Sequence, residues 1–155
     1  MTILHWQFKS FDQLTTDELY DLLKLRVDVF VVEQNCPYPE LDNKDRHPDT
    51  RHLTGKNKAG KILAYLRILP PDLNYNHPGI GRVVVDKTQR GRHLCRKMVQ
   101  KAVDFCDDRW PGQGIKIGAQ AYLTDFYISL GFNPVSDVYL EDGIPHVDMV
   151  KKSVY

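Results

Sequence analysis

The chain predicts an α/β fold in which a mixed central sheet is flanked by helices. Three observations lead there. Runs of β-branched and aromatic residues alternate with stretches of helical periodicity, and no internal repeat or low-complexity tract interrupts them. The resulting order is strand, helix, hairpin strands, strand, helix, strand, helix, strands. The 155 residues suit one domain, residues 1–155, with a full core.

Ile3 to Phe8 alternates weakly and reads as a first strand. Thr15-Thr16-Asp17-Glu18 supplies helix-start chemistry, and Leu19, Leu22, Leu23, Val27 and Phe30 then recur at three- and four-residue spacing. That helix runs into Val31-Val32-Glu33-Gln34. Asn35 to Thr50 is rich in turn residues, and Tyr38 and Leu41 give it apolar anchors, so it reads as a long ordered loop. Strands at Arg51 to Lys56 and Lys61 to Leu69 flank the turn Asn57-Lys58-Ala59-Gly60 and should be antiparallel neighbours. Pro70-Pro71-Asp72 ends the second. A strand from Ile80 to Val85 precedes a helix with Leu94, Met98, Val99, Ala102, Phe105 and Cys106 on one face, stopped by Trp110-Pro111-Gly112. Ile115 to Ala119 is a short strand, Thr124 to Leu130 a helix closed by Gly131, and His146 to Lys151 a final alternating strand.

Composition narrows the partners. A formal net charge of +1 gives no global field to attract nucleic acid or an anionic membrane. Cys36, Cys95 and Cys106 form neither a metal-spaced pair nor a disulfide framework, and an odd count suits a reducing compartment. The first residues lack signal-peptide character and no apolar stretch reaches membrane-spanning length, so a cytoplasmic protein is expected. A homodimer is compatible with such a fold, but no interface is legible.

Chemistry concentrates at Val83-Val84-Val85-Asp86-Lys87-Thr88-Gln89-Arg90-Gly91, where a β-branched run passes through a polar turn into a helical pattern. First-turn N–H groups lack intrahelical partners and present the positive end of the helix dipole, which suits phosphate. Arg90 and Arg92 add charge, and Gly91 admits close backbone approach. The turn reads either as a cradle for a pyrophosphate-bearing cofactor or as an ordinary strand-to-helix junction with two solvated arginines.

Val83 to Cys95, followed downstream by Phe126-Tyr127-Ile128-Ser129-Leu130-Gly131-Phe132, resembles the Gcn5-related N-acetyltransferase (GNAT) superfamily. Arg90 matches the first position of that superfamily's pyrophosphate loop, while His93 and Cys95 stand at its two glycine positions. A narrower resemblance, to the ElaA-type bacterial branch, covers nearly the whole chain. It rests on Leu25-Arg26, the block Val29 to Tyr38, Leu41-Asp42, Gly81-Arg82-Val83-Val84 and the tail Glu141 to His146. That branch tolerates a loop without the full glycine pattern.

The resemblance implies a mixed, mainly antiparallel sheet splayed at the cofactor site. It also implies direct transfer of an acetyl or other short acyl group from coenzyme A to a primary amine in a ternary complex, with no metal. By the same resemblance, main-chain groups of Val83, Val84 and Val85 bind the pantetheine arm, and an N–H near Val84 or Val85 stabilises the oxyanion. Main-chain N–H groups of Gly91, Arg92, His93, Leu94 and Cys95 hold the pyrophosphate beside Arg90, and Gln120 contacts the cofactor arm. Tyr127 matches the tyrosine that protonates the departing thiolate, although a lone tyrosine between Leu123, Phe126 and Leu130 is otherwise core packing.

An ammonium acceptor must lose a proton before attack, so a base is needed. Glu33, at the helix end beside the loop, is the first candidate and His146 the second, since neutral imidazole is a competent base. Arg67 and Arg82 interrupt apolar strand patterns. They either pair with Glu33, Asp148 or another carboxylate as buried ions, or with Tyr38 they contact an anionic group on a small-molecule or peptide amine. Two other functions are compatible with the sequence: a non-catalytic acyl-coenzyme A sensor, and cysteine hydrolysis through Cys36 with His47 or His52.

Overall fold

The computed structural model describes residues 3–91 and 93–153. The chain runs β1 (His5–Lys9), α1 (Thr16–Arg26) continued by a π-helical segment (Val27–Glu33), β2 (Arg51–Lys56), β3 (Ile62–Leu69), β4 (Gly79–Val85), α2 (Leu94–Arg109), β5 (Ile115–Gln120), α3 (Thr124–Ile128), β6 (Asn133–Pro134), β7 (Tyr139–Glu141) and β8 (Ile144–Lys151). The strands form one eight-stranded sheet in the order β1-β2-β3-β4-β5-β8-β6, with β7 also on β8. Among the described residues, only β4 and β5 pair in parallel. All eight residues of β3 are buried, because helices cover both faces of the sheet there.

One core joins the sheet to α2 and α3 through Leu53, Leu66, Ile80, Met98, Val99 and Phe132. A smaller one on the opposite face sets Leu22 and Leu25 of α1 against Ile62, Tyr65 and Val84, with Val29 and Phe30 beside them. The predicted start of α1 takes the form of a capping box. Glu18 N–H donates to Thr15 Oγ1 at 3.0 Å, and Thr15 N–H donates to Glu18 Oε1 at 2.9 Å. Lys9 and Lys56 also clamp Glu18, and they outweigh the upward push of burial to bring its pKa down to about 2.

The sequence pattern runs one helix from Thr16 through Gln34, and the structure keeps it continuous but changes its winding. Gln34 N–H reaches Val29 O at 3.0 Å and Cys36 N–H reaches Val31 O at 3.0 Å, both five residues back. Three further differences concern the edges. The first strand begins at His5 and ends at Lys9, α3 stops at Ile128, and Tyr139–Glu141 hairpins onto the start of β8, a pair the alternation of His146 to Lys151 did not reach.

The loop after the π-helical segment is pinned by buried ions. Arg26, fully buried on α1, donates to Glu40 Oε1 at 3.0 Å and to Asp45 Oδ1 at 2.8 Å. Arg67 on β3 donates to Asp42 Oδ2 at 2.6 Å and Asp45 Oδ1 at 3.2 Å. Arg82 on β4 lies 2.7 Å from Glu40 Oε2 through its Nε. Three arginines thus meet three carboxylates. Burial alone would raise the Asp42 and Asp45 carboxyls, but the hydrogen bonds and charge of Arg67 and Arg26 hold both below the usual carboxylate range.

These carboxylates are ionised when folded and easier to protonate when unfolded, so their stabilisation is present above about pH 4, the ordinary carboxylate range, and is lost as pH falls further. Urea unfolding between pH 7 and pH 3 should show a fall in stability that sets in below about pH 4. Arg26→Ala leaves buried carboxylates uncompensated and should cost about 3–5 kcal/mol in the same measurement at pH 7.

Candidate active site

The site begins where β4 and β5 part. They pair only at Gly79 with Lys116, joined by Lys116 N–H to Pro78 O at 2.9 Å. Beyond that point they splay. β4 also carries a bulge: Tyr65 faces Val84 and Arg67 faces Gly81, so one extra residue stands in β4 and Arg82 takes a left-handed φ of 52°. The edge of β4 towards β5 therefore has no strand partner from Gly81 to Val85 among the described residues. A cavity of about 540 Å³ fills the gap.

Most of the expected site residues line that cavity. Val83, Val84, Val85, Arg90, Gln120, Tyr127, Glu33, His146, Tyr38, Arg67 and Arg82 all do. Gly91, His93, Leu94 and Cys95 do not, and form the strand-to-helix turn at the start of α2. Arg92 lies outside the described residues.

That turn explains how side chains replace glycines. Gly91 and His93 both adopt left-handed backbone, with φ of 78° and 59°. His93 thus takes a glycine-like conformation at a cost of roughly 1–2 kcal/mol, and its side chain is exposed. Leu94 and Cys95 pack against the large core, and burial raises the Cys95 thiol to about 11. Neither core-facing side chain obstructs the first-turn N–H groups of α2, which remain without intrahelical partners.

The charged candidates have defined protein partners. Arg90 donates to Glu33 Oε2 at 2.7 Å and Oε1 at 3.1 Å, and its Nε donates to Val85 O at 3.1 Å. Its guanidinium is committed to protein partners. The same bidentate bond, with the charge of Arg90, lowers the Glu33 pKa, and a carboxylate so stabilised is a poorer base. Of the alternatives for Arg67 and Arg82, the structure shows pairing with carboxylates other than Glu33 and Asp148: the loop supplies Asp42, Asp45 and Glu40. Those matched carboxylates argue against using either arginine to bind an anionic acceptor. The signal was the density of acids between Glu40 and Asp45 in a loop already read as ordered.

His146 has a different setting. Its Nδ1 lies 2.7 Å from Ile144 O, a group that only accepts, so Nδ1 carries a hydrogen and Nε2 is the nitrogen left to exchange a proton. Glu141 Oε2 stands 3.5 Å from Nε2, ready to stabilise an imidazolium, and the ring stacks on Tyr139. Tyr127 is buried, its phenol raised above the ordinary value by burial, and its hydroxyl has no hydrogen-bond partner among the described residues. Gln120 Nε2 donates to Gln34 Oε1 at 3.3 Å.

The cysteine–histidine alternative finds no dyad. Cys36 Sγ donates to Asp142 O at 3.2 Å. His52 is buried between Tyr65 Oη and Asp45 O, and His47 Nδ1 accepts from Asp49 N–H.

Residues 33–153 match the Acetyltransferase (GNAT) domain. The chain belongs to the GNAT acetyltransferase family, in its ElaA-like branch. This GNAT chain is 42% identical over 152 residues to protein ElaA of Escherichia coli K12, covering 98% of this chain and 99% of that one. The crystal structure of Escherichia coli ElaA superposes with a TM-score of 0.91 over 97% of this chain and 100% of that chain. An acyl-CoA N-acyltransferase from Pseudomonas aeruginosa has a TM-score of 0.91 and 42% identity, over 96% of this chain and 99% of that chain. A CoA-dependent acyl-homoserine lactone synthase solved with isopentyl-CoA shares the fold alone, with a TM-score of 0.75, 17% identity and coverage of 99% and 85%. The expected mixed, mainly antiparallel sheet is thus that of the GNAT family.

If His93 already holds the glycine conformation, His93→Gly should leave stability within about 0.5 kcal/mol, since relief of strain offsets added unfolded-state freedom. His93→Val, β-branched at positive φ, should lose about 1 kcal/mol or more by urea unfolding.

Proposed function

We propose that this GNAT chain moves an acetyl group from acetyl-coenzyme A to a primary amine by direct attack within a ternary complex. The observation that carries the reading is the parted β4–β5 pair. Its unpartnered strand edge lines one cavity with His146, whose Nδ1 meets Ile144 O, and with Tyr127, whose hydroxyl has no hydrogen-bond partner among the described residues. The unpartnered edge of Val83, Val84 and Val85 suits the amide-bearing arm of the donor, and the start of α2 at Leu94 suits its pyrophosphate.

The proton inventory follows from the residues. His146 Nε2 takes a proton from the acceptor ammonium, directly or through water, and Glu141 stabilises the resulting imidazolium. The free amine attacks the thioester carbonyl, and a main-chain N–H of Val84 or Val85 meets the developing oxyanion, a contribution of roughly 3 kcal/mol for one such donor. As the carbon–sulfur bond breaks, Tyr127 gives its proton to the thiolate, and the second proton that the nitrogen sheds as the amide forms passes through water to the Tyr127 phenolate, leaving amide, thiol and neutral phenol. A buried phenol is a weaker acid than the thiol it protonates, so Tyr127 assists the departure without governing it. Three unpaired cysteines fit a reducing, cytoplasmic setting.

Calorimetry with acetyl-coenzyme A, followed by thiol release across an amine panel, tests the assignment. Binding without turnover on any amine would instead identify a sensor. Tyr127→Phe should lower kcat by about 10–100-fold with little change in acetyl-coenzyme A affinity. His146→Ala should flatten the acid limb of the pH–rate profile, whereas Glu33→Gln should leave that limb in place.

A further inference from the structure

We infer that Tyr139 and Asp148 are positioning residues for proton transfer from the acceptor: the Asp148 carboxyl group tethers the Tyr139 phenol, and the Tyr139 ring sets the tilt of the His146 imidazole. The inference rests on the acyl-transfer reading above, with His146 as its base.

Three neighbouring strands place these side chains on one face. His146 of β8 stands directly opposite Tyr139 of β7 on one side and Gln120 of β5 on the other. Asp148 follows two residues later on β8, so its side chain leaves the same face, while Val147 and Met149 enter the core. Tyr139 reaches diagonally across that face. Its hydroxyl donates to Asp148 Oδ1 at 2.6 Å, and its ring lies 6.1 Å from the His146 ring at an interplanar angle of 26°.

The imidazole needs that face contact. The bond between its Nδ1 and Ile144 O, at 2.7 Å, fixes one edge of the ring but does not set its tilt. Glu141 is exposed, and an exposed carboxylate 3.5 Å from Nε2 restrains the ring weakly. The Tyr139 ring removes the remaining freedom. Proton transfer requires Nε2 within hydrogen-bonding reach of the acceptor nitrogen or of a bridging water, so the tilt decides whether the transfer is productive.

Tyr139 in turn depends on its hydroxyl. β7 has three residues and pairs only with β8 among the described strands, and the neighbours Val138 and Leu140 are exposed. Neither apolar core includes Tyr139. The bond to Asp148 therefore supplies what packing does not. Asp148 is a firm anchor, because its N–H donates to Ser136 Oγ at 2.9 Å, its carbonyl accepts from Val135 N–H at 2.8 Å, and Lys116 Nζ lies 3.9 Å from Oδ2. Burial, with the Asp148 bond, raises the Tyr139 phenol above its ordinary value, so it stays a donor across the neutral range.

Gly118 makes room for the tether. It faces Asp148 across the β5–β8 pair, and a Cβ there would stand 3.3 Å from Tyr139 Oη and 3.2 Å from Tyr75 Oη, closer than ordinary van der Waals contact. The bare backbone lets the Tyr139 hydroxyl rest over the strand within reach of Asp148.

Thiol release from acetyl-coenzyme A should be followed with whichever of phenethylamine, spermidine and an Nα-acetylated lysine peptide turns over fastest. Tyr139→Leu removes the ring and should lower kcat by about tenfold. Tyr139→Phe and Asp148→Ala lose only the tether and should each lower it by about threefold, whereas Asp148→Asn, whose amide oxygen still accepts from the phenol, should restore it. In all four variants the amine KM and the acetyl-coenzyme A Kd from calorimetry should stay within about twofold of the unsubstituted protein. The deciding arm is the His146→Ala background. There Tyr139→Leu should be silent, because the ring it positions is gone. The inference is overturned, with acyl transfer left standing, if Tyr139→Leu keeps full kcat, weakens acetyl-coenzyme A binding instead, or slows His146→Ala as much as it slows the unsubstituted protein. Full kcat in His146→Ala removes the base assignment and the inference with it. Acetyl-coenzyme A binding with no thiol release on any of the three amines removes the acyl-transfer reading as well.

Discussion

Two parallel strands that hydrogen-bond at their start and nowhere else organise this molecule. A backbone N–H or C=O in a protein interior must find a partner, and a central strand normally finds it in its neighbour. β4 and β5 separate after Gly79 and Lys116, so the β4 edge facing the gap keeps its hydrogen-bonding capacity. A second strand cannot reach it, but an extended amide-bearing arm can. The bulge at Arg82 belongs to the same arrangement, because an extra residue in β4 changes which groups face the gap and which face β3.

The opposite wall depends on electrostatics more than on apolar packing. The loop from Asn35 to Thr50 has few apolar anchors, yet it carries Glu40, Asp42 and Asp45 to three arginines from three different elements. Ion pairs at this depth gain little net stability over apolar substitutes, but an unmatched member is costly. That asymmetry selects one docked position for the loop. It also leaves the cavity wall electrically balanced, although its lining contains several formal charges.

Legibility in the sequence followed the range of the interactions involved. The capping box at Thr15 and Glu18 and the hairpin between β2 and β3 are local, and both were readable from spacing. The family motifs brought Tyr127, His146 and the Val83 to Val85 edge to attention before their geometry was known. The committed partners of Arg90 and Glu33 were not readable, because 57 residues separate them and either alone looks like a solvated surface charge. The Cys36–Asp142 bond spans 106 residues and leaves no mark on either local sequence. The π-helical winding was hidden too, since its side-chain spacing differs only slightly from that of an α-helix.

By itself, the sequence determined the alternation of strands and helices, the family and the place of the strand-to-helix turn, because these follow from periodicity and short motifs. Tertiary structure alone decided that Glu33 is held by Arg90 while His146 lies between Ile144 O and Glu141, which carboxylates meet Arg26, Arg67 and Arg82, and that the turn takes left-handed backbone at His93. These outcomes depend on partners distant in sequence. The carboxylate of Glu33 loses basicity only when the chain has folded and set Arg90 within hydrogen-bonding distance of it.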